Sequence, residues 1–117
     1  MPSRNPAHRL RDIVDNIDAI RLFTANMDSA GFGADQKTVY AVVRALEIIS
    51  EASRRLPAEV KERHLEVDWI AVAAAGNIYR HEYEGVDLAL IWHTVTHDLE
   101  ALRNIATGEL DRLRDRA

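Results

Sequence analysis

Apolar residues recur every three or four positions along much of the chain, which is the spacing of one face of an α-helix. The first such stretch spans 7–30 and is expected to end at Gly31. The second spans 35–56, with Asp35 as its N-cap and Pro57 closing it. Their apolar positions are Leu10, Ile13, Val14, Ile17, Ile20, Phe23 and Met27 in the first, and Val39, Val42, Val43, Leu46 and Ile49 in the second.

The second half of the chain repeats this pattern after a connector that contains Pro57 and one expected helical turn. Two more helices and a short helical tail are predicted over 69–83, 87–107 and 109–116. Asp68 can cap the third helix and Gly85 closes it, whereas Gly108 is expected to break the fourth. No segment alternates with period two, so the pattern predicts an all-α, antiparallel four-helix bundle.

The third helix differs from the others because it has almost no polar face before Asn77. Its apolar positions are Trp69, Ile70, Val72, Ala73, Ala74, Ala75, Ile78 and Tyr79. A helix that is apolar all round has to be covered on more than one side. The helix is therefore expected to lie at the centre of the bundle or to be covered by a second copy of the chain, and we favour a homodimer.

Length and composition narrow the class of protein. The 117 residues suffice for a single domain, 1–117, and the 47% apolar and 29% charged residues are typical of a soluble globular protein. Since cysteine is absent, the chain has no thiol nucleophile and no thiolate metal site. The longest apolar stretch, 69–76, is far shorter than the roughly 20 residues that cross a bilayer. The N-terminus has no apolar core of a signal peptide, so we expect a cytoplasmic protein.

The charge balance limits how the protein could bind nucleic acid. With 15 basic and 19 acidic residues, the net charge of −4 argues against coating nucleic acid through bulk electrostatics. Of the basic residues 13 are arginine, the type that binds phosphate through two parallel hydrogen bonds, but most alternate with acidic residues. A local basic cleft remains compatible with this composition, and so does an ordinary solvated helix face.

The polar side chains of the third helix are confined to its last turns. They are Asn77, Arg80, His81, Glu82 and Tyr83. A histidine titrates near neutral pH and can transfer a proton, so His81 is the acid/base candidate. The alternative is structural, because a histidine in the last turn of a helix is favoured by the helix dipole alone.

Four segments of the chain, in this order, resemble one known family. They are VVRALEIISEASRRLP at 42–57, RHLEVDWIAVAAAGN at 63–77, YRHEYEGVD at 79–87 and IWHTVTHDLEAL at 91–102. Together they are similar to the HepT-like group of HEPN-domain proteins, the toxin half of a toxin–antitoxin pair. The resemblance runs from Leu10 to Leu102, and the sequence His-x-Tyr-x-Gly-Val-Asp is its most specific part.

The resemblance implies a fold, an activity and partners. HepT-like proteins are helical homodimers, and the active ones are endoribonucleases that need neither a metal nor a cofactor. Their motif is Arg-Asn, three residues, then His-x-Tyr, at the cleft between the two protomers. The histidine handles protons while a ribose 2′-hydroxyl attacks the adjacent phosphate. The partner is a minimal nucleotidyltransferase antitoxin, which silences the toxin by attaching AMP to the tyrosine.

Three of the four motif positions match in this chain, namely Asn77, His81 and Tyr83, while Gly76 stands where the family has arginine. Losing a group that stabilises a developing anion typically costs on the order of 100- to 1000-fold in rate. Arg80 lies one turn after Gly76 on nearly the same face, so its guanidinium could reach back over the space that the glycine leaves empty. Alternatively, Arg80 satisfies carbonyl groups at the helix end.

Tyr83 poses a geometric question of its own. Two residues along a helix correspond to about 200° of rotation, so His81 and Tyr83 would face opposite ways on a continuous helix. They can share a cleft only if the helix unwinds between them, which the nearby Gly85 would allow. Without the resemblance, Tyr83 is equally well explained as a half-buried packing residue.

Two further groups of polar residues have both a functional and a structural interpretation. Along one edge of the second helix lie Tyr40, Arg44, Glu47 and Glu51. Arg44 could contact phosphate, and Glu47 could hold the Arg44 side chain in place. The plainer interpretation is an ordinary intrahelical ion pair. On the fourth helix, His93, His97 and Glu100 have a spacing that can hold a divalent metal, yet we expect them to face solvent and predict no metal site.

Three functions remain open from the sequence. The first is an endoribonuclease toxin in which His81 is the acid/base, Arg80 (or Arg44) replaces the lost arginine and Asn77 orients the site. The second is a catalytically weakened HEPN protein that binds a nucleotidyltransferase and accepts AMP on Tyr83. The third is a helical scaffold without activity. The toxin requires a positive cleft around His81, whereas the weakened partner tolerates a neutral one.

Overall fold

The computed structural model is helical along nearly the whole of residues 5–81 and 88–116, which are the residues it describes; for 77–81 it describes the backbone alone. The helices are α1 (Ala7–Phe23), α2 (Ser29–Ala34), α3 (Gln36–Arg54), α4 (Ala58–Glu62), α5 (Trp69–His81), α6 (Leu88–His93) and α7 (Leu99–Arg116), with a π-helical turn at Thr94–Asp98. These ranges contain no strand, as the all-α prediction requires.

The first predicted helix ends earlier than its apolar pattern indicates. The hydroxyl of Thr24 donates to the Ile20 carbonyl at 2.8 Å, and Asn26 has a φ of 63°, in the left-handed region. A new helix then begins, because the Asp28 carboxylate accepts a hydrogen bond from Gly31 N at 2.7 Å. The predicted range 7–30 is therefore wrong at its end, and Gly31 belongs to the first turn of α2.

The second helix and the connector agree closely with their patterns. The carboxylate of Asp35 caps α3 by accepting from Thr38 N at 3.1 Å, as predicted. The expected helical turn after Pro57 is α4. At the start of α5, Asp68 accepts from Ala71 N at 3.0 Å, which confirms it as the N-cap.

The C-terminal helix does not break at Gly108. Helix α7 continues through this position to Arg116, so the separation of 87–107 from a tail at 109–116 is wrong. A single glycine inside a helix costs about 1 kcal/mol relative to alanine, and packing on both sides of it outweighs that cost. The flanking Ala106 and Glu109 are both buried.

The core is formed mainly by α1, α3 and α7. Its fully buried side chains include Leu10, Ile13, Ile17, Ile20, Val42, Ile91 and Ala106. The short helix α2 contributes Phe32, whose ring contacts Trp92 with centroids 5.2 Å apart. Across the bundle, α1 and α7 run antiparallel, because Asp18 pairs with Arg103 at 2.7 Å while Arg21, further along α1, pairs with Glu100.

Helix α5 lies at the side of the bundle, not at its centre. One face packs against α3, while Ile70 is 84% exposed and Ala71 and Ala74 are exposed beside it. Of the two expectations for this apolar helix, the central position is thus wrong. Within the described ranges, no helix combines the length and apolarity needed to cross a membrane.

Candidate functional site

The predicted motif lies at the C-terminal end of α5. Asn77, Arg80 and His81 are on its last turns, which puts them on a regular helical backbone. Tyr83 lies outside the described residues, and so does the predicted unwinding between His81 and Tyr83. The structure shows which residues of the neighbouring helix, α3, lie near this end of α5.

Helices α3 and α5 pack antiparallel, and their register fixes which residues share an end. Near the start of α5, Trp69 and Ala73 line the same groove as Arg54. Further along, Ser50 contacts the backbone of α5 from Val72 to Gly76. The sequence number on α3 therefore falls as that on α5 rises.

Continuing this register brings the motif towards the first half of α3. Arg44 lies six residues before Ser50 on α3, and His81 lies five residues after Gly76 on α5. At 1.5 Å per residue these steps are about 9 Å and about 7.5 Å in the same direction. Arg44 and Glu47 therefore lie at the same end of the helix pair as the backbone of the motif.

Gly76 does not leave an empty space. It is buried, and its amide N–H donates to the Ser50 hydroxyl at 3.0 Å. A Cβ at this position would lie 2.5 Å from Ser50 Oγ and 2.8 Å from Ser50 Cβ, closer than such atoms approach. The prediction that the Arg80 guanidinium reaches over a gap at Gly76 is therefore wrong in its premise, because α3 fills that space.

The edge of α3 that carries Tyr40, Arg44, Glu47 and Glu51 divides into two parts. At the motif end, Arg44 Nη1 lies 3.4 Å from Glu47 Oε2, and the Arg44 side chain is 70% exposed while that of Glu47 is 17% exposed. Because the Arg44 guanidinium stays exposed while it pairs with Glu47, it can still bind a phosphate. At the other end, Glu51 pairs with Arg54 at 3.3 Å and Arg55 at 2.8 Å, so it has no part in the motif end.

The histidine pair on the fourth predicted helix does not form a metal site with Glu100. The rings of His93 and His97 stack with centroids 4.2 Å apart, and Glu100 pairs with Arg21 from α1. Across the described ranges, no group of three or more His, Cys, Asp or Glu side chains is arranged to hold a metal ion. The π-helical turn between the histidines was not predicted from the sequence.

A basic groove lies at the opposite end of α3 from Arg44. It encloses about 520 Å³ and is lined by Asn5, Pro6, His8, Arg9, Arg54, Arg55 and Pro57. Since Arg54 and Arg55 are at the C-terminal end of α3, the groove is separated from the motif by most of that helix. This groove is therefore not the positive cleft that the toxin hypothesis requires around His81.

Sequence reasoning missed one buried charge cluster. Glu109 is 5% exposed on α7 and receives hydrogen bonds from Arg63 at 2.6 Å and 3.1 Å and from His64 at 2.7 Å. The hydrogen bonds from Arg63 lower the pKa of the Glu109 carboxyl to about 2, against the raising effect of burial. One signal was available, because Glu109 follows Leu102 and Ala106 on the buried stripe of α7.

Comparison with known proteins assigns the family. The family model described as "Ribonuclease HepT-like" matches residues 13–107. A protein named "Probable ribonuclease HepT" from Thermococcus cleftensis is 39% identical over 90% of this chain and 92% of its own length. A protein of Methanocaldococcus jannaschii named "Putative RNase MJ1216" is 32% identical over 88% of this chain and 85% of its own.

A third relative, "Putative RNase MJ1380" of Methanocaldococcus jannaschii, is 34% identical over 88% of this chain and 94% of its own. No solved structure gives a significant match. The family model covers most of the chain, including α5 with the motif residues Asn77 and His81 and α3 with Arg44. The chain therefore belongs to the HepT-like ribonuclease family of HEPN proteins.

Proposed function

We propose that this protein is an endoribonuclease toxin that cleaves RNA without a metal ion, at a site centred on His81. The observation that supports the proposal is the antiparallel register of α3 and α5 in a chain of this family. In that register the exposed Arg44 guanidinium lies at the same end as the backbone that carries Asn77, Arg80 and His81. A proton-transfer group and phosphate-binding groups are what this reaction needs.

The reaction we infer uses the RNA as its own nucleophile. His81 accepts the proton of a ribose 2′-hydroxyl, whose oxygen attacks the adjacent phosphorus. The P–O5′ bond breaks, the departing 5′-oxygen takes a proton from water, and His81 releases the proton it accepted to solvent. The products are a 2′,3′-cyclic phosphate and a 5′-hydroxyl. Arg44 or Arg80 stabilises the charge that develops on the phosphoryl oxygens, and Asn77 orients the reacting groups.

The decisive experiment is cleavage of a short RNA by the purified protein in excess EDTA. We expect His81→Ala to lower the rate by about 100- to 10,000-fold, because general acid–base catalysis contributes that much. His97→Ala is the matched control, since His97 is an exposed histidine on a separate helical segment. Equal activity of parent and His81→Ala, or no cleavage by the parent, would refute the proposal.

The contribution of Arg44 to RNA binding can be tested against a control variant on the same helix. Arg44 pairs with Glu47 at 3.4 Å, and Arg54 pairs with Glu51 at 3.3 Å at the other end of α3. We expect Arg44→Ala to weaken RNA binding and to lower the slope of log affinity against log salt by about 1, as for one lost phosphate contact. Arg54→Ala should leave that slope unchanged. Equal effects of both variants would mean that the contact is not specific to the motif end.

A homodimer is part of the proposal. The support is the exposed apolar face of α5, which carries Ile70, Ala71 and Ala74. Covering it with a second copy would bury apolar surface and bring two motifs near each other. Ile70→Asp should therefore yield folded monomers in sedimentation experiments and lose cleavage. Leu22→Asp, at a residue 75% exposed on α1, is the control, and dissociation by this variant instead would assign the interface to α1.

A second function is favoured by one observation, the buried Gly76 at the position of the family's motif arginine. Because Ser50 occupies the adjoining space, an arginine cannot be accommodated there without moving α3. A protein that has lost this group could serve as a weakened partner that binds a nucleotidyltransferase and accepts AMP on Tyr83. The chain would then bind its partner without cutting RNA.

The two functions are separated by one further assay. After incubation with ATP and a minimal nucleotidyltransferase, the protein should gain the mass of one AMP group. Tyr83→Phe should abolish this gain, whereas Tyr40→Phe, at a residue 50% exposed on α3, should not. AMP transfer together with cleavage by the unmodified protein supports a silenced toxin. AMP transfer to a protein that never cleaves RNA supports the weakened partner.

A further inference from the structure

The hydroxyl of Ser50 forms hydrogen bonds with the backbone of α5. Ser50 is 2% exposed, and its Oγ accepts a hydrogen bond from Gly76 N at 3.0 Å. The same hydroxyl donates towards the carbonyls of Val72 at 2.8 Å and Ala73 at 2.9 Å. In a regular α-helix the N–H of residue 76 bonds the carbonyl of residue 72. Ser50 Oγ thus contacts both ends of one helical hydrogen bond.

Gly76 is the residue that permits this close contact. Its φ lies outside the left-handed region, so no special backbone conformation requires glycine here. What requires it is distance, because any Cβ would lie 2.5 Å from Ser50 Oγ. Ser50 and Gly76 therefore form a matched pair, in which a small polar side chain on α3 meets a bare backbone on α5.

The contact lies directly before the motif. Asn77 follows Gly76, and His81 lies five residues on, about 7.5 Å along the axis. A hydroxyl that bonds both an N–H and carbonyl groups of one helical turn ties that turn to the helix that carries the hydroxyl, here α3. The contact also fixes the register of α5 against α3, the helix that carries Arg44.

We propose that Ser50 is a positioning residue for the RNA-cleaving site: through Gly76 N–H and the Val72 carbonyl it sets the direction of the α5 turns that carry Asn77, Arg80 and His81. This inference rests on the proposed ribonuclease function and deepens it. Ser50 is buried and has its hydrogen bonds inside the protein, so it acts through the backbone and not on the RNA.

A matched control is available one turn away. Ser53 lies on the same helix and is 1% exposed, and within the described part of the chain its Oγ has no hydrogen-bond partner. If buried serines on α3 served packing alone, Ser50→Ala and Ser53→Ala would have equal effects. If Ser50 positions the motif, only Ser50→Ala changes catalysis.

The kinetic test compares these variants on a short RNA in EDTA. We expect Ser50→Ala to lower kcat by about 10- to 100-fold, since a displacement of about 1 Å in a catalytic constellation can cost that much, with KM changed less than about threefold. Ser53→Ala should retain both constants. The double variant Ser50→Gly, Gly76→Ala refills the volume without the hydroxyl and should stay slow. Recovery of the parental kcat in that variant would overturn the proposal.

A second readout does not depend on activity. Amide hydrogen exchange measured by NMR should quicken from Gly76 through His81 in Ser50→Ala and stay at parental rates in Ser53→Ala. Faster exchange at Gly76 alone, with the next five amides unchanged, would contradict positioning of the motif. If the parent protein cleaves no RNA, the ribonuclease proposal fails by itself. The exchange pattern then still decides whether Ser50 controls this segment.

Discussion

Gly76 and Gly108 both lie inside helices, but their surroundings give them opposite roles. A Cβ at Gly108 would meet no atom within 4 Å, whereas at Gly76 it would meet Ser50. Gly108→Ala should therefore raise the free energy of unfolding by about 0.5–1 kcal/mol, since alanine loses less backbone entropy in a helix. Gly76→Ala should lower it by about 1–3 kcal/mol through overpacking. Urea denaturation of both variants checks the pair, and stabilisation by both would contradict the contact with Ser50.

The same two glycines show what the sequence could reveal about single residues. Their identity and their spacing from His81 are visible in the sequence, and so is the mismatch with the family's arginine. What surrounds Gly76 is supplied by Ser50, which is 26 residues away and joined to it only by the packing of α3 on α5. The expectation of an empty space at Gly76 was wrong because it considered α5 alone, without α3, which covers this position.

At the scale of elements, polarity patterns predicted the positions of the helices better than their ends. The N-caps Asp35 and Asp68 could be predicted because each carboxylate bonds a backbone N–H only three residues further along the chain. The end of α1 could not be predicted in this way, since Met27 continues the apolar rhythm past the point where Asn26 turns the chain. At Gly108 the error was the opposite one, since the pattern ended a helix that in fact continues. The burial of Ala106 and Glu109 outweighs the cost of the glycine.

The N-cap of α2 gives a test at this scale. Asp28 accepts from Gly31 N at 2.7 Å and starts the short helix that buries Phe32. Asp28→Ala should lower the free energy of unfolding by about 1 kcal/mol, as expected for a lost N-cap. Asp15→Ala, at an exposed aspartate within α1, should change it by less than about 0.5 kcal/mol. Equal effects of both substitutions in thermal unfolding would show that α2 does not depend on this cap.

At the scale of the whole molecule, Glu109 ties the connector after α4 to the C-terminal helix. Its carboxylate bonds Arg63 and His64, and the His64 carbonyl accepts from Trp69 Nε1 at 3.0 Å at the start of α5. Glu109→Gln should lower the free energy of unfolding by about 1–3 kcal/mol, because it replaces the buried charged acceptor of the Arg63 and His64 hydrogen bonds with a neutral amide. Glu100→Gln, at a carboxylate with a 67% exposed side chain, should cost less than about 0.5 kcal/mol.

The Glu109 cluster also predicts how the molecule responds to acid. The Arg63 hydrogen bonds hold the folded pKa of Glu109 at about 2, below the ordinary value of 4.5 that applies when the chain is unfolded. Because the folded pKa is the lower one, the stabilisation is fully present above pH 4.5 and is lost as the pH falls towards 2. The difference in unfolding free energy between the parent and Glu109→Gln should therefore be constant near neutral pH and shrink between pH 4.5 and 2. Urea titrations across that range measure it, and a difference that stayed constant to pH 2 would mean that the carboxylate is not held by Arg63. Since the cluster joins the start of α5 to α7, its loss in acid should loosen the start of the helix that carries the proposed site at its other end.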